Sequence, residues 1–463
     1  MTVHGRLCYN KTGMTMPDIV RKSPCDAPFC AARAFSRKGC GAFRTATDII
    51  MEEIKNLLKD EEDLRPQIDA TLSSEAFNAS AAVFMARYVQ GAENALRYDC
   101  GDGVSLAIKE DVSPEEFDAY VKAHLEASPT AFVSEIAGNR FLSMPMEQGY
   151  RYTMYSPARR QVRFLYADKG ELMPLQLGDK PSYAGKKTVT QIAPNDEAKN
   201  FGMCYVFALG EGHFLIYDGL GDRGGDEDKI YASMLSATPE GQKPIVDAWI
   251  LTHPHFDHIA GVWKFAKKYH DAVEVRNFVM NMLPPYRYPM QLWKEAAACH
   301  ARWLPEIFNA FPVAKIQKAH TGQTFSVGDA RVEVLYTQEE FSGFEAPMND
   351  TSLVTRVFLG GKTLIFPADI SGDAECRWIH DLYGSYLKSD FYQLAHHAWD
   401  TEVLHFYYDI DPTDMLWPLR ARDWDRERMW TFPATQVYKA EYDAGSRRFH
   451  IARGEDIVIP LGE

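Results

Sequence analysis

One stretch of the chain, residues 244–269, places an apolar strand, a histidine-rich turn and a helix directly after one another. PIVDAWILT is a strand candidate that ends at Thr252, and GVWKFAKKY has apolar residues at helical spacing. Between them, HPHFDH holds three of the chain's 14 histidines and one aspartate. Burying three imidazoles and a carboxylate beside apolar strands would be costly without a cation to organise them. The stretch therefore predicts a metal site at the end of a strand.

The polar residues of this turn offer ligands for two cations. If the strand runs on, His253 and His255 alternate and project on the same side, within reach of one cation. Asp257 and His258 follow where the chain turns into the helix, and they can bind a second cation beside the first. Neutral imidazole and carboxylate are suitable ligands for Zn²⁺, Fe and Mn²⁺. Such a site needs more ligands than one loop supplies, and we expect them at the ends of later strands.

Two later apolar runs end in suitable ligands. TLIFPAD delivers Asp369, and FYQLAHH delivers His396 and His397. Because a carboxylate has two oxygens, Asp369 can bridge two cations about 4 Å apart. One of the two histidines would complete the second site and the other would hydrogen-bond behind it, with His396 the preferred ligand.

In this order the motifs resemble the signature of the metallo-β-lactamase superfamily of hydrolases. THPHFDH is similar to the family's H-x-H-x-D-H motif, FPAD to its bridging aspartate, and AHH to its last metal histidine. LIYDG looks like the strand-end aspartate that buttresses the metal loop, here Asp218. The resemblance covers roughly residues 195–463. It implies a four-layer αββα sandwich, in which two sheets pack face to face between outer helices and the metals lie at one edge.

Within the superfamily the chain is most similar to the competence-type branch, the hydrolase domain of DNA-uptake proteins. NDTSLV at 349–354, AD at 368–369 and HHA at 396–398 resemble that branch's N-[ND]-x-S-[LIV]-V, GD and HHG motifs. Most superfamily members have a further histidine ligand where NDTSLV stands. Asn349 or Asp350 can supply an oxygen there instead, or can simply cap a turn. The resemblance therefore supports one bound cation more firmly than two.

The rest of the chain suggests two further parts. Residues 1–45 carry eight Lys/Arg and two Asp without clear periodicity, which is typical of a weakly ordered basic arm. Residues 46–190 predict a small α+β domain of unknown role, with a helix over 47–59, a second helix whose capping box starts at Ser113, and the strands RFLSMPM, YRYTMY and QVRFLYA. The fold class is thus α+β, and the hydrolase domain follows over residues 191–463.

Composition narrows the range of partners. The net charge of -14 disfavours long nucleic acids, because proteins bind them mainly through Lys and Arg contacts to phosphate. No run approaches the ~20 apolar residues that a membrane span needs, and the N-terminus lacks an apolar segment of signal-peptide type. We therefore expect a cytoplasmic protein that acts on a small molecule and has no membrane partner. The oligomeric state is left open.

The resemblance implies a metal-dependent hydrolase in which a metal-activated hydroxide attacks a phosphoryl or carbonyl centre. One or two Zn²⁺ ions are the expected cofactor, with Mn²⁺ or Fe compatible with the same ligands. Asp257 has a second expected role, which is to orient the hydroxide. A phosphodiester or another small phosphorylated compound is the preferred substrate. The alternatives are ester or amide hydrolysis (lactones and lactams included), an iron oxidoreductase, and a non-catalytic binding protein that retains metal.

Overall fold

Two mixed β-sheets packed face to face form the centre of the molecule. The computed structural model describes residues 96–101, 104–128, 131–146, 149–167, 182–283, 288, 293–338, 347–399 and 404–462. All of them fall within one unit of residues 50–463. The basic arm predicted over 1–45 and the helix predicted over 47–59 lie outside the described residues.

The strands and helices of the described residues are numbered here in chain order. Strands β1 to β21 are Leu96–Gly101, Val104–Lys109, Phe132–Ile136, Asn139–Met146, Gly149–Ser156, Gln161–Ala167, Lys187–Gln191, Tyr205–Gly210, His213–Tyr217, Ile245–Leu251, Glu274–Val275, Asn277–Met280, Lys315–Lys318, Thr324–Val327, Ala330–Tyr336, Val354–Leu359, Lys362–Phe366, Phe391–Gln393, Asp414–Trp417, Arg448–Ile451 and Ile457–Gly462. Helices α1 to α9 are Pro114–Ala127, Asp226–Ser236, Phe256–Tyr269, Trp293–Ala298, Leu304–Ala310, Asp373–Tyr383, Leu404–Ile410, Ala421–Trp424 and Pro433–Ala444. A π-helical turn, Cys299–Trp303, joins α4 to α5.

The two central sheets are built alike. The first has the order β13-β12-β10-β9-β8-β7-β21, with β11 beside β10, and the second has the order β14-β15-β16-β17-β18-β19-β20. In each, one half is antiparallel and the other half is parallel. The parallel pairs include β9 with β10 in the first sheet and β17 with β18 in the second. Because neighbouring parallel strands end at the same edge, the loops after these four strands are the places where a shared site can form.

Apolar side chains fill three layers around the two sheets. Between the sheets, Tyr217 of β9 stacks on Phe366 of β17 with ring centroids 4.6 Å apart. The outer face of the first sheet is covered by α2, α3 and α5, and that of the second by α6, α7 and α9. The predicted four-layer αββα sandwich is confirmed.

A third sheet precedes the sandwich in the chain. Its order is β1-β2-β6-β5-β4-β3, and all its pairs are antiparallel. The predicted strands coincide with β4, β5 and β6. The predicted capping box is present at the start of α1, where Ser113 Oγ accepts from Glu116 N at 3.2 Å and Glu116 Oε2 accepts from Ser113 N at 2.7 Å.

This third sheet is docked against the side of the sandwich. Phe141 and Tyr152 belong to the same apolar cluster as Leu335 of β15 and Trp378 of α6. Asn139 Nδ2 also donates to a carbonyl of α6 at 3.0 Å. The division of the chain into parts at residues 45/46 and 190/191 stays a prediction.

No helix in the described part of the chain has both the length and the apolar character that crossing a membrane demands.

Candidate metal centre

The histidine turn connects β10 to α3. Strand β10 ends at Leu251, so His253 and His255 lie in a loop and not on a continued strand. His255 is the N-cap residue of α3 and has extended backbone (φ -67, ψ 147). The two rings nevertheless face each other, with Nε2 of His253 3.0 Å from Nδ1 of His255. Asp257 and His258 lie in the first turn of α3.

At the ends of three other strands, the residues that reach the site have left-handed backbone conformations. Asp218 follows β9 with φ 50, and Ala368, just before Asp369, follows β17 with φ 53. His396 and His397, after β18, have φ 48 and 53. Such conformations cost a non-glycine residue of order ~1 kcal/mol or more, and they persist only where the surrounding structure enforces them. Each of these strand ends therefore carries backbone strain that the surrounding structure must hold.

The structure brings the ligand atoms together in two groups that share Asp369. The groups are Asp257, His258, Asp369 and His397, and His253, His255 and Asp369. Within each group the ligand atoms lie within 4.8 Å of one another. Oδ2 of Asp369 is 3.1 Å from Nε2 of His258, 3.3 Å from Nε2 of His397 and 3.8 Å from Nε2 of His253. The carboxylate thus has the position of a bridge between two cation sites.

Of the two adjacent histidines, His397 enters the first group and His396 does not. Nε2 of His396 instead lies 3.0 Å from Nδ2 of Asn349. The geometry therefore favours His397 as the ligand, against the preference for His396 that was drawn from the sequence.

Asp350 lies outside both groups. Its Oδ1 accepts from the backbone N–H of Ser371 at 2.9 Å and of Gly372 at 2.6 Å. It therefore caps the turn that follows Asp369, which is the second of the two roles considered for it. The side chain of Asn349 contacts His396.

Asp218 orients two of the predicted ligands. Its Oδ2 accepts from Nδ1 of His258 and from the hydroxyl of Thr252, each at 2.7 Å. Because the Thr252 hydroxyl donates to the carboxylate, its oxygen is free to accept from Nδ1 of His253 at 3.1 Å. With Nδ1 as the donor, the neutral form of each histidine has a bare Nε2 that faces the site, and this is the form in which imidazole binds a cation.

The ionisation states of the site residues depend on one another. Burial alone would raise the pKa of Asp369, but His258 and His397 hold it well below its ordinary range. Burial would lower the pKa of His397, whereas Asp369 and Asp257 raise it to about 9. The carboxylates of Asp369, Asp257 and Asp218 likewise raise the pKa of His258 against the effect of burial. Asp369 is thus ionised and His397 protonated at pH 7, so a cation that binds His397 would displace its proton.

The donor set fits divalent cations. Oδ1 of Asp369 and Nδ1 of His397 are buried and have no hydrogen-bond partner among the described residues. Buried polar atoms without partners are rare because they are costly. Nitrogen and carboxylate oxygen are the ligands that zinc takes in proteins, four in closed sites and three where one position stays open. The first group offers four such residues and the second offers three.

Three residues that support the site were missed at the level of the sequence. The buried side chain of Gln393 joins two strand ends, since it accepts from Ala368 N at 2.8 Å and donates to Ala368 O at 3.0 Å. Glu295 accepts from Phe256 N at the start of α3. Gly202 lies so close to α3 that a Cβ there would be 1.7 Å from the backbone oxygen of Asp257. No local pattern marks these residues, because each acts on a segment distant in the chain.

Solved structures with partial similarity include three proteins. The metallo-beta-lactamase fold protein YhfI from Bacillus subtilis is 14% identical, with 60% of this chain and 100% of that chain covered and a TM-score of 0.35. CmlA, a diiron beta-hydroxylase from Streptomyces venezuelae, is 10% identical, with 60% and 54% covered and a TM-score of 0.36. The short form of human tRNase Z (ELAC1) is 12% identical, with 59% and 99% covered and a TM-score of 0.32. No curated protein sequence matches the chain.

The family model of the metallo-beta-lactamase superfamily matches residues 199–429, about half of the chain. This range contains every residue of the two ligand groups as well as Asp218. On this match, and with the αββα layers around the site, the chain belongs to the metallo-beta-lactamase superfamily.

Proposed function

We propose that the protein is a metal-dependent hydrolase whose substrate is a phosphodiester or another small phosphorylated compound. The observation that carries the proposal is the pair of buried ligand groups joined by Asp369. Zinc is the proposed cofactor, as one or two ions, because the groups combine imidazole nitrogen with carboxylate oxygen. Mn²⁺ and Fe are the other candidates for the same ligands.

Divalent cations held by these side chains would supply Lewis-acid chemistry and make water a nucleophile near neutral pH. The residues of the chain prepare the site for this. Asp218 fixes His258 directly and His253 through Thr252, so that each Nε2 faces the centre. Because these rings are already oriented before a substrate binds, the site needs little rearrangement when negative charge develops on the substrate in the transition state.

Asp257 has a distinct place at the edge of the centre. Its Oδ2 is 3.4 Å from Nε2 of His397 and 3.8 Å from Nε2 of His258, and it lines a cavity of about 180 Å³. Burial would raise the pKa of Asp257, but His258 and His397 lower it. The ionised carboxylate can therefore accept a hydrogen bond from water at the wall of the cavity and orient that water toward a substrate.

Charge supports a small substrate over a long polyanion. The net charge of -14 disfavours a long polyanion. The similarity of NDTSLV and HHA to the competence-type branch supports phosphodiester chemistry in particular.

The proposal is tested with purified protein whose metal content is measured by mass spectrometry. We expect chelation to abolish hydrolysis of bis-p-nitrophenyl phosphate, and added Zn²⁺ or Mn²⁺ to restore it. Asp369→Ala should lower both bound metal and turnover, while Asp271→Ala, whose side chain is 96% exposed, should change neither. Full turnover by verified metal-free protein would refute the proposal.

A panel of lactone and lactam substrates distinguishes phosphodiester hydrolysis from ester and amide hydrolysis. Faster turnover of these than of the phosphodiester would replace phosphodiester hydrolysis by ester or amide hydrolysis. Tight metal binding without turnover of any member of the panel would indicate a non-catalytic protein.

A further inference from the structure

The cavity beside the candidate metal centre is lined by two chemically different groups of residues. Asp257 and His397 belong to the first ligand group. Arg420 and Asp423 come from the segment that starts α8. The remaining lining includes the aromatic rings of Phe201 and Trp399. A molecule that fills this space therefore touches the metal centre and a guanidinium group at the same time.

Arg420 is held in place from two sides. Its Nε donates to Oδ2 of Asp423, and its Cζ lies 4.8 Å from the centroid of the Phe201 ring. The Arg420 side chain is 12% exposed, so it is largely withdrawn from bulk water. Nη1 and Nη2 donate to no acceptor among the described residues. Since a guanidinium has five N–H donors, a side chain bound only through Nε keeps its two-pronged end available.

Arg420 shares its carboxylate partner with a second guanidinium group. Asp423 is buried and accepts from Arg420, and its Oδ1 also lies 2.8 Å from Nη1 of Arg426. The position of Asp423 therefore does not depend on Arg420 alone. A planar guanidinium with free Nη atoms matches the geometry of carboxylate and phosphate oxygens.

We propose that Arg420 is a specificity-determining residue that binds a second anionic group of the substrate, a carboxylate or a phosphate, while the scissile bond lies at the metal centre. The inference rests on the proposed function and adds a substrate class to it. The substrate is a small molecule that carries this anionic group in addition to the scissile bond.

The test compares two p-nitrophenyl phosphodiesters that differ only in the second alcohol. In one, a short alkyl chain ends in a free carboxylate, and in the other it ends in the methyl ester. The measured quantity is the ratio of the two kcat/KM values. We expect the wild-type protein to favour the carboxylate, and Arg420→Gln to lower that ratio by about tenfold or more, because a charge-assisted hydrogen bond is lost. Arg420→Lys should restore part of the preference for the carboxylate, because lysine supplies the positive charge but lacks the planar, two-pronged guanidinium group.

Arg426→Gln is the matched control. Arg426 pairs with the same carboxylate but is 45% exposed and is not among the described residues that line the cavity. Its ratio should equal that of the wild type. An absent preference in the wild type, an unchanged ratio in Arg420→Gln, or an equal fall in Arg426→Gln would overturn the proposal.

Calorimetric titration of the carboxylate diester into zinc-loaded protein makes the test independent of turnover. If neither diester is hydrolysed, the proposed function fails. Weaker binding to Arg420→Gln, with wild-type binding to Arg426→Gln, would then still support the role of Arg420. Equal binding to all three proteins would overturn that role.

Discussion

At the scale of single residues, Asp218 is a buried residue that holds predicted ligands of the candidate metal site in position without being one of them. The carboxylate accepts from His258 Nδ1 and from the amide and hydroxyl of Thr252. Burial raises its pKa, and the nearby His258 opposes the rise. Asp218 and the imidazoles it orients therefore act as one hydrogen-bonded unit.

We expect Asp218→Asn to weaken cation binding by about 10- to 100-fold, the range seen when such an orienting partner is changed. The new amide nitrogen is a donor placed against the donors His258 Nδ1 and Thr252, so that one of these contacts is lost. The measurement is a competition titration with a chromogenic chelator.

Asp247→Asn is the control for this variant. Asp247 is also buried and pairs with a histidine, with Oδ2 2.8 Å from Nδ1 of His213, but it lies at the opposite end of β9 and β10 from the metal centre. Equal losses of cation affinity in the two variants would contradict the orienting role of Asp218.

Glu375, in the first turn of α6, predicts a pH dependence of stability. Burial and the neighbouring Asp350 raise its pKa from 4.5 to about 7. The neutral carboxyl group of Glu375 is favoured in the folded protein. Its contribution to the free energy of unfolding is therefore fully present below pH 4.5, the pKa of glutamate in the unfolded chain, and is lost as the pH rises through 7. Glu375→Gln cannot ionise, so we expect it to be more stable than the wild type at pH 8, by about 1–2 kcal/mol after allowance for partial exposure.

The two proteins should unfold alike at pH 4.5, where Glu375 is neutral. Thermal melts at the two pH values check this, with the exposed Asp373→Asn in the same helical turn as control. A difference between Glu375→Gln and the wild type that is the same at both pH values would argue against ionisation of Glu375 as its cause.

At the scale of elements, the position of α3 depends on a close approach of two backbone segments. Gly219 N donates to His258 O at 2.8 Å, and Gly261 N donates to Leu220 O at 2.9 Å. A Cβ on Gly261 would lie 1.8 Å from the backbone oxygen of Gly219. The loop after β9 and the first turns of α3 can therefore meet only because Gly261 has no side chain.

Gly261→Ala should push α3 away from this loop. We expect a loss of stability of about 1–3 kcal/mol, as for other overpacked sites, together with weaker cation binding because Asp257 and His258 lie on the same helix. Denaturant unfolding and chelator competition measure the two effects. The control is Lys264→Ala on α3, which should leave cation binding unchanged. If Gly261→Ala were as stable as the wild type, the loop after β9 would have to move aside at no cost, and the prediction would be wrong.

At the scale of the whole molecule, the small sheet and the sandwich share one apolar cluster. Phe141 of the small sheet is 4% exposed and lies in the cluster that includes Trp378 of α6. Ser134 Oγ also donates to Gly322 O of the sandwich at 2.7 Å. Parts that share a core are expected to unfold together.

Phe141→Ala should therefore destabilise the sandwich as well as the small sheet, by about 3–5 kcal/mol. Hydrogen exchange of amides in α6 and β15 reports on the sandwich. Phe132→Ala on the neighbouring strand β3 removes the same ring where it is 48% exposed, and should have little effect. Faster exchange in the small sheet alone would show that the two parts unfold independently.

Local patterns in the sequence were enough to predict the ligand types and the strand ends that carry them. His253, His255, Asp257 and His258 could be recognised because they interrupt an apolar strand-to-helix pattern, and Asp369 because it ends an apolar run. These patterns are local, so they can be recognised in the sequence without knowledge of the fold. The αββα architecture followed from the resemblance that these motifs carry.

The preference for His397 over His396 as the proposed ligand comes from contacts between segments that are distant in the chain. Both follow β18 with nearly the same left-handed φ, so nothing local separates them. The choice comes from contacts with other strands: His396 N donates to Ala368 O at 3.0 Å, and Trp417 Nε1 donates to His397 O at 3.0 Å. The same holds for Arg420, which meets the metal centre across a cavity. Such pairings depend on how distant segments pack, and packing is a property of the whole chain and not of any window within it.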